Sequence, residues 1–151
     1  MAPENRKAKD PMDEEAMIAA LNAALVLQYR SALSYTLVSG SLQGFQFQPL
    51  SVELWSFAAN ELDDARHLVE KIVTLGGEPT TEMAPLELHV QPQGAVQWLI
   101  ESESEAIDRL QDCIPHTGQE GRSEAMEHRL EHTIMRKQEQ VDALIRARRE
   151  S

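Results

Sequence analysis

Apolar residues recur every three or four positions through most of the chain and divide it into four helical stretches. In the first, Met17, Leu21, Leu25, Ala32 and Tyr35 keep a helical period that runs out near Gly40. The spacing predicts a helix over Pro11 to Ser39, with Asp10 as its cap, Pro11 in the first turn, and Asp13 and Glu14 at the positive end of the dipole. A connection from Gly40 to Pro49 leads to a second stripe, Leu54, Ala58, Ala65, Leu68, Ile72 and Leu75, which predicts a helix over Ser51 to Leu75 stopped by Gly76 and Gly77. From Glu78 to Gln93 there is no helical period, and Pro79, Pro85 and Pro92 interrupt the segment, so it reads as a crossover much longer than a helical hairpin needs. Val96, Ile100, Ile107, Leu110 and Ile114 predict a third helix over Ala95 to Ile114, ended by Pro115. After a turn in which Thr117 and Glu120 have capping-box spacing, Met126, Leu130, Ile134, Val141 and Leu144 predict a fourth helix over Glu120 to Arg148. No internal repeat of solenoid period is present.

Each stripe skips one turn, and the skipped turn holds a polar side chain: Gln28, Glu61, Glu103 and Lys137 in helices one to four. Because each continues the spacing of its own stripe, all four should point inward at similar depth. Asp64 and Gln140, three residues beyond Glu61 and Lys137, lean toward the same interior. Glutamate and lysine on helices are ordinarily solvated, and buried charge is rare unless paired. The coincidence across four helices favours a shared centre. With Glu61, Asp64 and Glu103 all ionised, a single lysine leaves a net charge of about −2, so either a carboxylate is protonated or reaches solvent, or a cation sits beside the ammonium; like-charge crowding favours the first.

Composition narrows the function. The chain has 151 residues, 42% apolar and 26% charged, with few aromatics, which suits one all-α domain. A formal charge of −11 without a basic stripe excludes nucleic acid and disfavours an anionic membrane surface. One cysteine, Cys113, with neither a secretory leader nor a membrane-length apolar run, points to the cytoplasm. Residues 1–10 are polar and aperiodic and read as a disordered tail, leaving residues 11–151 for the bundle. Other metal-ligand types fit less well. His67 lies well off the inward face at about 100° per residue, His128 and His132 form an i, i+4 pair on an outer face, and Cys113 beside Ile114 reads as buried filler.

Two hairpins joined by one long crossover is the connectivity of ferritin-like bundles. The chain resembles the bacterioferritins over nearly all of its length beyond the tail, most clearly in Leu21-Asn22, Tyr35 and the run ARHLVEKIVTLGGEP over 65–79, with VDAL setting the register of the fourth helix. The resemblance implies an all-α four-helix bundle of an iron-binding and iron-storage family, whose di-iron centre takes a Glu from each of two helices and Glu-x-x-His from each of the others. On this chain those ligand positions fall on Gln28, Glu61, Asp64, Glu103, Lys137 and Gln140. Two carboxylates are kept, one is an amide, one an ammonium, and both histidines are gone. The implied reading is a ferroxidase site largely lost, with Lys137, Glu61, Glu103 and Gln140 as a buried charge network and no cofactor required. An alternative keeps iron at a reduced site of Gln28, Glu61, Asp64 and Glu103, and a second alternative is a non-catalytic interaction module. The position matching the family's haem methionine is Leu62, so haem is not expected. An end at Ser151 leaves no room for the family's short fifth helix, so the expected assembly is a small one, a homodimer through helices one and two.

Overall fold

The computed structural model describes residues 11–149, and within them there are four long helices and no strand. Helix α1 spans Glu14–Ser41, α2 Gln48–Thr74, α3 Pro92–Cys113 and α4 Gly121–Arg148, with short 3₁₀ turns at Phe45–Phe47 and Ile114–His116. Packing fixes their directions. The start of α1 (Met17, Leu21) meets the ends of α2 and α3 (Ile72, Leu110, Cys113) and the start of α4 (Met126, Leu130) in one apolar cluster. Its end (Tyr35, Val38) meets Leu54, Ala95, Val96, Leu99 and Leu144 in another. Hence α1 is antiparallel to α2 and α3, while α2 and α3 run parallel, which only a crossover along the bundle can connect. Contrary to the reading that the chain lacks a membrane-length apolar run, helix α1 is long and apolar enough by length and composition to cross a bilayer; half of that stretch is buried within the bundle, as in the core helix of a bundle.

The crossover is laced to the outside of α1. Asn22 Nδ2 donates to Glu78 O (3.1 Å) and its Oδ1 accepts from Thr80 N–H (2.8 Å), Tyr29 Oη donates to Thr80 O (3.0 Å), and Ala84 N–H donates to Val26 O (3.3 Å). One asparagine thus supplies the donor and acceptor that turn a proline-broken segment into an ordered one.

Helix ends differ from the sequence reading in ways that have local causes. Asp10 lies outside the described residues. Asp13 caps α1, accepting from Ala16 N–H at 3.1 Å, because the preceding residues strap the chain to the α3–α4 turn: Met12 N–H donates to Glu120 Oε2 (3.1 Å) and Asp13 N–H to His116 O (3.3 Å). Helices α2 and α3 start three residues earlier than the stripes suggest, since Pro49 and Pro92 fit the first turn, where no N–H is needed. The capping box of α4 is Glu120 with Ser123, not Thr117 with Glu120. Gly76, at φ +87°, ends α2 in a Schellman turn, with Gly76 N–H on Val73 O and Gly77 N–H on Ile72 O, both 2.9 Å.

Candidate functional site: a polar layer between two apolar cores

Between the two apolar clusters lies a layer in which Gln28, Ser31, Glu61, Asp64, Glu103, Lys137 and Gln140 are all buried. Each helix delivers its member by helical spacing alone. The layer is organised around the Lys137 ammonium, which is fully buried and lies 2.9 Å from Glu61 Oε2 and 3.0 Å from Glu103 Oε1, with Ser31 Oγ at 3.3 Å. Glu61 also accepts from Gln28 Nε2 through Oε2 and from Gln140 Nε2 through Oε1 (2.8 Å), and Asn60 Nδ2 holds Gln140 from outside at 3.2 Å. On the other side Glu103 accepts from Ser31 Oγ, while its Oε2 lies 3.1 Å from Tyr35 Oη.

Two glutamates on one lysine cannot both be ordinary anions. Burial pushes Glu61 up, but the Lys137 charge and the donors around it outweigh burial and hold the carboxyl below its usual range. Burial and the neighbouring Glu61 anion push Glu103 up to about 8, against the pull of Lys137. Lys137 is opposed by burial, yet the two carboxyls raise its pKa and keep it an ammonium. The opposite directions of the two shifts favour Lys137 with Glu61 as the charged pair and Glu103 as the carboxyl that takes up a proton. Tyr35, raised first by burial and then by Glu103, stays neutral.

Asp64 sits apart from this unit. It is buried, no hydrogen-bond donor reaches either carboxylate oxygen among the described residues, and the same holds for Gln28 Oε1. Its nearest opposite charge is Arg136, whose Nη1 is 3.6 Å from Oδ1. Burial and Glu61 push Asp64 up to about 6, with Arg136 and Lys137 opposing. Arg136 Nη2 also donates to His132 Nε2 at 3.4 Å, so the guanidinium stands between the interior and an outer groove lined by Lys71, His128 and His132.

Of the sequence candidates, Gln28, Glu61, Glu103, Lys137 and Gln140 are joined by hydrogen bonds, and Asp64 is buried beside them without one. His67 lies outside, 3.5 Å from Asp63, and His128 and His132 are exposed. Cys113 is buried in the first apolar cluster, where burial pushes its thiol up to about 12. Sequence reading missed Ser31, the hydroxyl of Tyr35, Arg136 and Asn60. The stripes place Tyr35 as an apolar residue, and only the charge excess on Asp64 hinted at a second cation.

The donor set falls short of what two ferrous ions need. No imidazole faces the layer, an ammonium stands between the two glutamates, and among the described residues no three His, Cys, Asp or Glu side chains are grouped to hold a metal ion.

This frame is shared. The sequence model of the ferritin-like domain matches residues 18–147, and the chain belongs to that family. A ferritin-like diiron-carboxylate protein from Bacillus anthracis superposes with a TM-score of 0.84 at 24% identity, covering 91% of this chain and 98% of that one. The Desulfovibrio desulfuricans bacterioferritin gives 0.79 at 18% identity, covering 89% and 79%. A bacterioferritin-related protein of Bacteroides fragilis, described as a dodecameric thioferritin, gives 0.78 at 20% identity, covering 88% and 84%. At these identities the likeness establishes fold alone. No curated protein matches the sequence.

Proposed function

We propose that this chain is a ferritin-like bundle that has given up ferroxidase chemistry, in which the Lys137 ammonium takes the electrostatic place of the metal and the protein acts as a haem-free, non-catalytic cytoplasmic module that self-associates through α1 and α2. The observation that carries the reading is Lys137 Nζ seated between Glu61 and Glu103, at 2.9 and 3.0 Å. A buried lysine neutralises a carboxylate as a metal would, but it offers no open coordination position for dioxygen and repels Fe²⁺. Anaerobic Fe²⁺ titration of protein purified without chelators, followed by exposure to air, tests it. The expected result is less than one iron per chain and no rapid oxidation signal. Two irons per chain, with an oxidation signal abolished by Glu103→Ala, would refute the reading.

One observation favours a second reading, iron handling at a reduced site. The oxygens of Asp64 and Gln28 Oε1 are buried acceptors with no donor among the described residues, the kind of group that a bound cation satisfies. In that case the titration should saturate at one iron per chain and lose it on Asp64→Asn.

A further inference from the structure

The chain carries 25 acidic residues against 14 lysines and arginines, so a surface cation ordinarily finds a carboxylate. Arg66, Arg109 and Arg122 lie 3.0, 3.4 and 2.7 Å from Glu70, Asp112 and Glu14. The outer groove between α2 and α4 departs from this pattern. Lys71, His128, Arg129 and His132 line it, and among the described residues neither Lys71 nor Arg129 makes an ion pair. The shortage is written into the sequence. Helical neighbours at three and four residues are His67, Leu68, Thr74 and Leu75 for Lys71, and Ala125, Met126, His132 and Thr133 for Arg129. None of these is acidic. Glu131, which is exposed, is the one carboxylate that lines the groove.

Arg136 adds a third cation where the groove meets the interior. Its Nη1 is 3.6 Å from Asp64 Oδ1, well beyond the ~2.7–2.9 Å of a charge-assisted hydrogen bond. Its Nη2 donates to His132 Nε2 at 3.4 Å, the outer limit of such contacts. A guanidinium has five N–H donors, and here most are uncommitted. Because His132 Nε2 accepts, the neutral ring carries its proton on Nδ1 and has a donor to offer. The groove therefore gathers positive charge and N–H donors and has few acceptors. That is the complement of a phosphate group, whose several oxygens accept from ammonium and guanidinium together. Its volume of about 780 Å³ exceeds what one phosphate fills and lies in the ~300–1,000 Å³ range of small-molecule sites, with Ala125 and Met135 as an apolar part. The formal charge of −11 does not forbid an anion here, since carboxylates more than about 8 Å away are largely screened at physiological ionic strength.

We infer that the groove between α2 and α4 is a phosphate-group site, in which Lys71, Arg129 and Arg136 supply charge and His128 and His132 supply N–H donors, the ligand being free phosphate or a small phosphorylated molecule. The site needs neither a metal nor a second copy and is independent of the role given to Lys137. NMR of the histidine ring Cε1–H signals of the full chain, at pH 7 and a fixed ionic strength of about 0.15 M, tests it. Inorganic phosphate should move His128 and His132 saturably, with a dissociation constant on the order of 1 mM, and leave His89, at the other end of the bundle, in place. Lys71→Gln combined with Arg129→Gln should weaken binding by about tenfold or more, since each removes a hydrogen bond to a charged group. Both side chains lie outside the apolar clusters, so the fold is kept. Glu131→Gln should tighten binding by removing the one opposing charge. Adenosine monophosphate, titrated beside phosphate and adenosine, separates the sources. A nucleotide that binds more tightly than phosphate assigns a phosphorylated molecule, and one that binds no better assigns the free anion. Shifts shared by all five histidines, a drift without saturation, adenosine binding as tightly as its monophosphate, or a curve unchanged by the double substitution would each overturn the site.

Discussion

Replacing Lys137 by Met is the most direct test of what the ammonium does. The side chain keeps its apolar stem and loses a charge that lies within 3.0 Å of two carboxyls. The structure limits the damage. Glu61 retains Gln28 and Gln140 as donors, and Glu103, whose pKa burial and Glu61 raise, retains Ser31. What disappears is the reason Glu61 can be an anion in a fully buried site. Its cheapest response is to take up a proton. Starting from the ordinary value of 4.5, that costs roughly 3 kcal/mol at pH 7, at 1.36 kcal/mol per pH unit. One mismatched hydrogen bond adds about 1 kcal/mol, and the sum agrees with the ~3–5 kcal/mol seen when one partner of a buried pair is removed. In a domain of this size, at ~2–4 °C per kcal/mol, the melting temperature should fall by about 6–20 °C. The mechanism also fixes the pH dependence. In the variant the folded pKa of Glu61 is raised, so its stability is full below the unfolded value and is lost as pH rises. The deficit relative to wild type should therefore shrink to about 1–2 kcal/mol at pH 5. Urea unfolding at pH 5 and pH 7 measures both. A variant within 1 kcal/mol of wild type at pH 7, or an equal deficit at both pH values, would refute the argument.

Three further outcomes follow from the same geometry. Glu103, raised to about 8, and Asp64, raised to about 6, each contribute stability that is present below their unfolded values and lost as pH rises, so the wild type should weaken between pH 5 and pH 8. Glu103→Gln should flatten the upper part of that slope, and an unchanged slope would show that Glu103 is not the group that takes up the proton. Combining Gln28→Glu, Asp64→His, Lys137→Glu and Gln140→His around the native Glu61 and Glu103 should raise Fe²⁺ binding to two per chain by anaerobic titration; a restored chain that binds no more than wild type would show that the ligand positions were wrongly assigned. Gly118→Ala should cost about 1–3 kcal/mol in thermal melts, because Gly118 is at φ +75° and an added Cβ would stand 2.6 Å from the Pro11 backbone.

The sequence carried the fold because each helix repeats its apolar period for several turns, and a proline-broken crossover between the second and third admits few topologies. It misplaced the ends for identifiable reasons. Asp10 and Asp13 are both good caps, and what selects Asp13 is a tertiary strap from Met12 to Glu120, which no local rule contains. At the site, Gln28, Glu61, Glu103 and Lys137 were legible as interruptions of their stripes. Arg136 was not, because it neighbours Lys137 on a different face and reaches Asp64 only through the length of its side chain. Tyr35 was legible as core and illegible as a hydroxyl, since periodicity reports burial and is blind to what a ring carries at its far end.

On the proposed reading, the ammonium at the centre of the bundle shares one property with a metal ion and lacks another. Attraction between fixed carboxylates and a central cation depends only on charge and distance, so Lys137, anchored at one end to α4 and bonded at the other to α2 and α3, ties three helices together. Redox chemistry depends on coordination positions that exchange and on ligands that accept a change of oxidation state, and a lysine side chain has neither. The covalent tether adds a further difference. A metal ion dissociates and makes stability depend on its concentration, whereas Lys137 arrives with the chain, and the layer should be equally stable whether iron is scarce or abundant. Melting temperatures measured in chelator and in excess Fe²⁺ should coincide for this protein and diverge for the four-site restored variant. A wild-type melting temperature that climbs with Fe²⁺ would mean that the orphaned oxygens of Asp64 and Gln28 hold a cation after all.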